Sequence, residues 1–209
     1  IADITGLQVA KADVPGKVQI NDPRWRGYLA NINPIQFETE FESLLPEHLN
    51  GAAFLKRYEG ITDYVTSVNL DADYPVRSAT RHPIYENARV QSFAEALKNW
   101  TGLEKATLLG RLMLESHQSY SDCGLGSEAT DLLVDYVREY SDAGLFGARI
   151  TGGGSGGTVA VLARKGSNEA IEELTRRFRE HTGYQPLVIS GSSPGAGTFN
   201  QITLEKLTQ

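Results

Sequence analysis

One cysteine, one methionine and two tryptophans stand among 209 residues. The lone Cys123 excludes an internal disulfide and suits the reducing cytoplasm where we expect the chain to reside. Long apolar runs are missing as well, so no segment reads as a bilayer span. Basic clusters are equally scarce. Lysines and arginines are scattered, and 20 of them face 26 acidic residues for a formal charge of −6. That balance argues against nucleic acid or an anionic membrane as the main partner. His117, Asp122 and Cys123 lack metal-ligand spacing, so no metal site is expected from them. The chain opens on Ile1 rather than Met, and IADITGLQVA reads as the middle of an element. The sequence is therefore read as an excerpt of a longer protein.

Glycine, by contrast, is plentiful, and its placement is uneven. Five of the six residues 152–157 are glycine, Ser155 being the exception. Leu145, Phe146 and Ile150 precede this stretch and Val159, Val161 and Leu162 follow it, so it reads as strand, glycine loop, strand. Ordering five glycines costs more conformational entropy than a chain reversal needs, because two residues suffice for a hairpin turn. A Walker loop requires Gly-Lys-Ser/Thr and then a helix, whereas here Gly156-Gly157-Thr158 runs into β-branched residues. A dinucleotide fingerprint needs a following helix for the same electrostatic reason. Two readings survive: a hairpin whose N–H groups line an anion or substrate, and a purely structural hairpin.

Along the chain, Trp25 and Tyr28 are expected to anchor the first thirty residues by burial. Asn33 caps a helix with Pro34 in its first position and Phe37, Phe41 and Leu44 on one face. A second short helix is read over 46–58, and 59–80 as a weak strand or extended loop. Val90, Phe93, Ala94 and Leu97 keep helical spacing through Lys98. Thr101 and Glu104 form a capping box for a helix reaching about Ser119, with Leu109, Leu112, Met113 and Ser116 on its stripe. Ser127 caps the next helix, which turns Leu133, Tyr136, Val137 and Tyr140 inward. A last helix starts at Ser167 or Asn168, buries Ile171, Leu174 and Phe178, and stops at Gly183. Short strands are read over 186–190 and 199–207. The tail is thus β-β-α-β-β behind a run of helices, an α+β layout with a small antiparallel sheet and helices on one side.

Several stretches in one order resemble the GHMP kinase family. GLFGARITGGGSGGTVAVL, residues 144–162, looks like its third conserved motif. LGRLM at 109–113, ESHQS at 115–119 and YPVRSATRHPIYENARV at 74–90 are similar to galactokinase segments. SYSDCGLGS at 119–127, GSSPGAG at 191–197, and RGYLANI followed by LLPEH resemble the L-arabinokinase branch. The resemblance covers roughly residues 26–207. It implies a ferredoxin-like C-terminal lobe over 33–209, with 1–32 as the connector from a missing N-terminal lobe. It also implies a sugar 1-kinase that moves the γ-phosphoryl of ATP, with Mg, onto the anomeric hydroxyl of galactose or L-arabinose. The family's sugar motif, ATP loop and catalytic Asp are not in this chain, so the fragment alone is expected to be inactive and to carry no catalytic residue.

Within that frame, Thr151, Gly152, Gly153, Gly154, Ser155, Gly156 and Gly157 are the loop expected beside substrate and ATP. Ser119, Cys123, Gly124 and Ser127 either line the sugar side of the cleft or simply connect two helices. The 191–197 loop closes over the cleft or merely turns the sheet. His117 is expected at a helix end, as a dipole contact. Arg81, His82, Glu86 and Arg89 are expected to form a polar network around a helix start. The expected partners are the sugar, ATP and the chain's own N-terminal lobe, with no nucleic acid and no membrane. Two other functions remain open: a GHMP kinase of another acceptor, such as mevalonate or homoserine, and a non-catalytic sugar- and ATP-binding regulator.

Overall fold

A computed structural model describes residues 1–98, 102–154, 156–191 and 198. The N-terminal part opens with a one-turn helix α1 (Ala2–Thr5) and an antiparallel pair, β1 (Gln8–Lys11) with β2 (Val18–Asn21). Helix α2 (Pro34–Gln36) begins as the sequence predicts, because Asn33 Oδ1 accepts the Ile35 N–H at 2.8 Å and Pro34 follows the cap. It then widens into a π-helical turn over Phe37–Phe41. Phe37 and Phe41 are buried as expected, but the wider turn shifts the spiral, so Leu45 rather than Leu44 is buried next. Leu44 is left 60% exposed. Trp25 meets Phe41 edge-on at 5.7 Å and is buried, whereas Tyr28 is exposed and anchors nothing.

Residues 46–50 do not continue as helix. Leu49 and Asn50 form β3 (Leu49–Asn50), which pairs with β4 (Asp73–Tyr74), and Asn50 caps α3 (Gly51–Tyr58) by accepting from the Ala52 and Ala53 N–H groups. Helix α4 (Val76–Lys98) begins well before Pro83, which lies inside it. Proline lacks the N–H that would bond the Ala79 carbonyl, and Ala79 is on the exposed side, where water can serve instead. Ile84 and Ala96 of α4 point inward; Val90 and Leu97, which keep the helical spacing, are about half exposed.

Helix α5 (Leu103–Asp122) starts after Gly102, which makes no side-chain cap; Thr101, the other half of the expected capping box, lies outside the described residues. Helix α6 (Glu128–Glu139) is capped by Ser127, whose Oγ accepts the Thr130 N–H. The hairpin follows, with β5 (Leu145–Ile150) antiparallel to β6 (Val159–Ala163), and then α7 (Asn168–Thr182), closed by Gly183 in the left-handed region. The 186–190 stretch is irregular rather than a strand. A strand persists by pairing, and no ladder partner for it occurs among the described residues. The 199–207 strand and the 191–197 loop beyond Gly191 fall outside them.

The layout is α+β with small antiparallel sheets. Two cores hold it. One joins Trp25, Ile32, Phe37, Phe41 and Leu45 to Ile84 of α4. The other joins Val134 and Val137 of α6, Leu145 and Ala148 of β5, and Leu174 and Phe178 of α7. Between them, α5 and β5 cross backbone to backbone. A Cβ on Gly110 would lie 1.9 Å from the Phe146 carbonyl oxygen, and one on Gly147 would lie 2.2 Å from that of Gly110. Only glycine fits either position.

Candidate functional site

Strand β5 ends at Ile150, and the Thr151 N–H donates to the Thr158 carbonyl at 2.9 Å, which closes the base of the hairpin. Thr151 Oγ1 reaches the same carbonyl at 3.4 Å, so its hydroxyl serves the hairpin. Beyond it Gly152, Gly154, Gly156 and Gly157 all take positive φ, from 74° to 109°, a path that side chains would resist. One flank of this loop is packed: a Cβ on Gly154 would lie 2.8 Å from Leu125, and one on Gly156 would lie 3.5 Å from Ser127 Oγ. The other flank is open. Gly152, Gly153 and Gly157 have nothing within 4 Å of a Cβ position and are exposed. Ser155 lies outside the described residues.

The loop therefore sits on the connection between α5 and α6, which holds Cys123, Gly124 and Ser127, whereas Ser119, expected in that connector, belongs to the last turn of α5. Ser127 is brought against the loop while also capping α6. Ser119 turns toward α4, its Oγ 2.8 Å from His82 Nδ1. Cys123 Sγ reaches the Ser78 carbonyl at 3.4 Å, and burial, with Asp122 nearby, pushes its thiol pKa up. Gly124 is exposed, with positive φ.

Residues that sequence reasoning passed over do more of the holding. Tyr120 OH donates to the Gly152 carbonyl at 3.3 Å, and its ring lies edge-on to His82 and under the Arg149 guanidinium. Arg149, one residue before Ile150, binds Glu86 Oε1 at 2.8 Å. Ser116 Oγ donates to the same oxygen at 2.5 Å, and Arg89 holds Oε2 at 3.0 Å. Burial works to raise the Glu86 pKa, but Ser116 and the two guanidiniums outweigh it and hold the carboxyl below its ordinary value. Of the four residues expected in one polar network, Glu86 and Arg89 meet in mid-helix and reach β5, His82 turns to Ser119 and Tyr120, and Arg81 pairs instead with Glu42 at 3.5 Å.

His117 also departs from expectation. Because α5 runs on to Asp122, His117 is interior and buried instead of terminal. Its Nδ1 accepts the Ile150 N–H at 3.2 Å, and its Nε2 lies 3.0 Å from Asp131 Oδ1, off the line of a good hydrogen bond. Burial lowers its pKa against the opposing pull of Asp131. The helical spacing of His117 and Tyr120, three residues apart on one face, was the available signal that both address the same loop. A separate cleft of about 630 Å³ lies in the N-terminal part, lined by Trp25, Tyr28, Ile32, Tyr64 and Thr80 among others, and the glycine loop takes no part in it.

Residues 93–180, from the end of α4 through α7, match the family model described as GHMP kinases C terminal. The likeness of this segment is to the C-terminal domain of the GHMP kinases. The matched segment contains α5, α6, the glycine hairpin and nearly all of α7, hence every described loop contact above. Over 188 residues the chain is 42% identical to an L-arabinokinase of Arabidopsis thaliana, covering 86% of this chain and 18% of that protein. It is 39% identical over 110 residues to a galactokinase of Thermotoga petrophila, covering 52% of this chain and 30% of that one. A crystal structure of Lactococcus lactis galactokinase complexed with galactose aligns at 20% identity and a TM-score of 0.45, over 81% of this chain and 46% of that one. The chain thus spans less than a third of the length of these two curated relatives.

Proposed function

We propose that this chain is the C-terminal part of an ATP-dependent monosaccharide 1-kinase acting on L-arabinose or galactose in the cytoplasm. The observation that carries this reading is the seating of the glycine loop: one flank rests on Leu125 and Ser127, and the other is bare backbone open to a ligand. Exposed backbone N–H groups without side chains suit the close approach of phosphate. In phosphoryl transfer the protein's contribution is positioning and neutralisation of charge rather than covalent chemistry. On this reading residues 151–157 approach the nucleotide's terminal phosphates, and 119–127 form the wall that the loop leans on. Residues 1–32 lead in from the N-terminal lobe, which supplies the catalytic Asp, the sugar contacts and most of the ATP site.

The described residues contain no group of three or more His, Cys, Asp or Glu side chains able to hold a metal ion. On this reading magnesium arrives with ATP and is held mainly by the N-terminal lobe, so no step is assigned to it here. Relatives named for L-arabinose and galactose support a sugar as acceptor over mevalonate or homoserine.

The test is ATP turnover by the full-length protein with L-arabinose, galactose, mevalonate and homoserine in parallel. Sugar-dependent ADP release with a sugar 1-phosphate product is expected, with no turnover by the 209-residue chain alone. Turnover by that chain alone, or turnover only with a non-sugar acceptor, would refute the proposal. Ligand-induced thermal stabilisation without turnover would favour the regulator reading instead.

A further inference from the structure

The glycine loop has little of its own to fix its shape, and the anchors around it come from α5 and the residues that follow α5. Two of these anchors stand one helical turn apart. His117 Nδ1 accepts the Ile150 N–H at 3.2 Å, and Tyr120 OH donates to the Gly152 carbonyl at 3.3 Å. Between them Thr151 is already committed to Thr158 across the hairpin. Helix α5 therefore grips the chain on both sides of the point where strand becomes loop.

The chemistry of the first grip is specific. A backbone N–H only donates, so Nδ1 is the unprotonated ring nitrogen and the ring proton sits on Nε2. Nε2 lies 3.0 Å from Asp131 Oδ1 but off the line of a good hydrogen bond, and Asp131 is itself held by Ser121 Oγ at 3.1 Å. Three elements thus meet at one ring: α5 carries it, α6 faces its Nε2, and β5 engages its Nδ1. His117 is only 4% exposed, so it meets no substrate directly.

We infer that His117 is a positioning residue whose Nδ1 holds the last residue of β5 and so sets where the nucleotide-receiving loop begins. The effect on the loop follows from the geometry alone. The effect on the nucleotide rests on the sugar-kinase reading.

The test uses the full-length protein carrying His117→Leu, His117→Asn or His117→Gln. Leucine removes the acceptor, asparagine places an oxygen near the position of Nδ1, and glutamine carries it one bond farther, toward Asp131. Hydrogen exchange is read for amides 150–154 and, as a control, for α7. KM for ATP and kcat are measured on the same samples. The expected result for His117→Leu is at least tenfold faster exchange at 150–154, unchanged exchange in α7 and an ATP KM raised at least fivefold. His117→Asn should stay within twofold of the parent on all counts, and His117→Gln should follow leucine. Parent-like loop exchange in His117→Leu overturns the inference, and so does acceleration spread equally through α7. If the leucine variant does not fold, equal behaviour of asparagine and glutamine overturns it. A parent protein without sugar turnover refutes the kinase reading and the ATP part, while the exchange comparison still decides the loop part.

Discussion

His82 and His117 both sit where burial favours the neutral ring, and their pKa values are lowered from the ordinary 6.5. The sign of the consequence is fixed. In the unfolded chain both rings take up a proton as pH falls through about 6.5, whereas in the folded protein they resist until lower pH. Stability they contribute is therefore fully present above that value and is lost as pH falls through it toward their folded values. Urea denaturation at pH 7.5 and 5.5 should show a lower midpoint at 5.5, and His117→Asn should reduce the difference. An unchanged difference in that variant would remove His117 from the account. Cys123 makes a second case. Its thiol pKa is raised and the sulfur bonds the Ser78 carbonyl, so iodoacetamide at pH 7.5 should alkylate it well below the rate of a free thiol. A rate equal to that of free cysteine would contradict the buried contact.

Helix α5 and strand β5 owe their closeness to two glycines, and the cost of changing either is steric. Gly110→Ala must push a Cβ through the Phe146 carbonyl, so roughly 1–3 kcal/mol or more of stability should be lost. Differential scanning calorimetry of the full-length protein checks this; a melting temperature equal to the parent's would mean the crossing is looser than described. Phe178→Ala on α7 empties the second core and should cost about 3–5 kcal/mol by the same measurement. How far such elements can be read from sequence depends on what sets them. Local signals sufficed for the Ser127 cap, the Gly183 stop, the hairpin flanks and the inward faces of α6 and α7. They failed where partners distant in sequence decide. Asn50 caps α3 because 49–50 pair with 73–74, and the π-helical turn after Gln36 moves burial from Leu44 to Leu45. The candidate site divides in the same way. Glycine density revealed the loop, but His117, Tyr120 and Arg149 show their roles only once α5 is laid against β5.

At the scale of the molecule, the glycine loop is a bare backbone flank held in place by one helix and the connection that follows it. Its packed side belongs to this chain, and its open side is available to whatever the rest of the protein brings. The match of residues 93–180 to the GHMP kinase C-terminal model and the 42% identity to an L-arabinokinase over 188 residues support the proposed kinase reading, and the loop geometry gives it a physical purpose. Gly154 is where the two meet, since it has positive φ and no room for a Cβ beside Leu125. The most direct test compares full-length protein with its Gly154→Ala variant for ADP release in the presence of L-arabinose and of galactose. The account predicts turnover with at least one of these sugars in the parent and a loss of tenfold or more in the variant, with the variant still folded. Equal rates in the two proteins, or no turnover of either sugar by the parent, would contradict it.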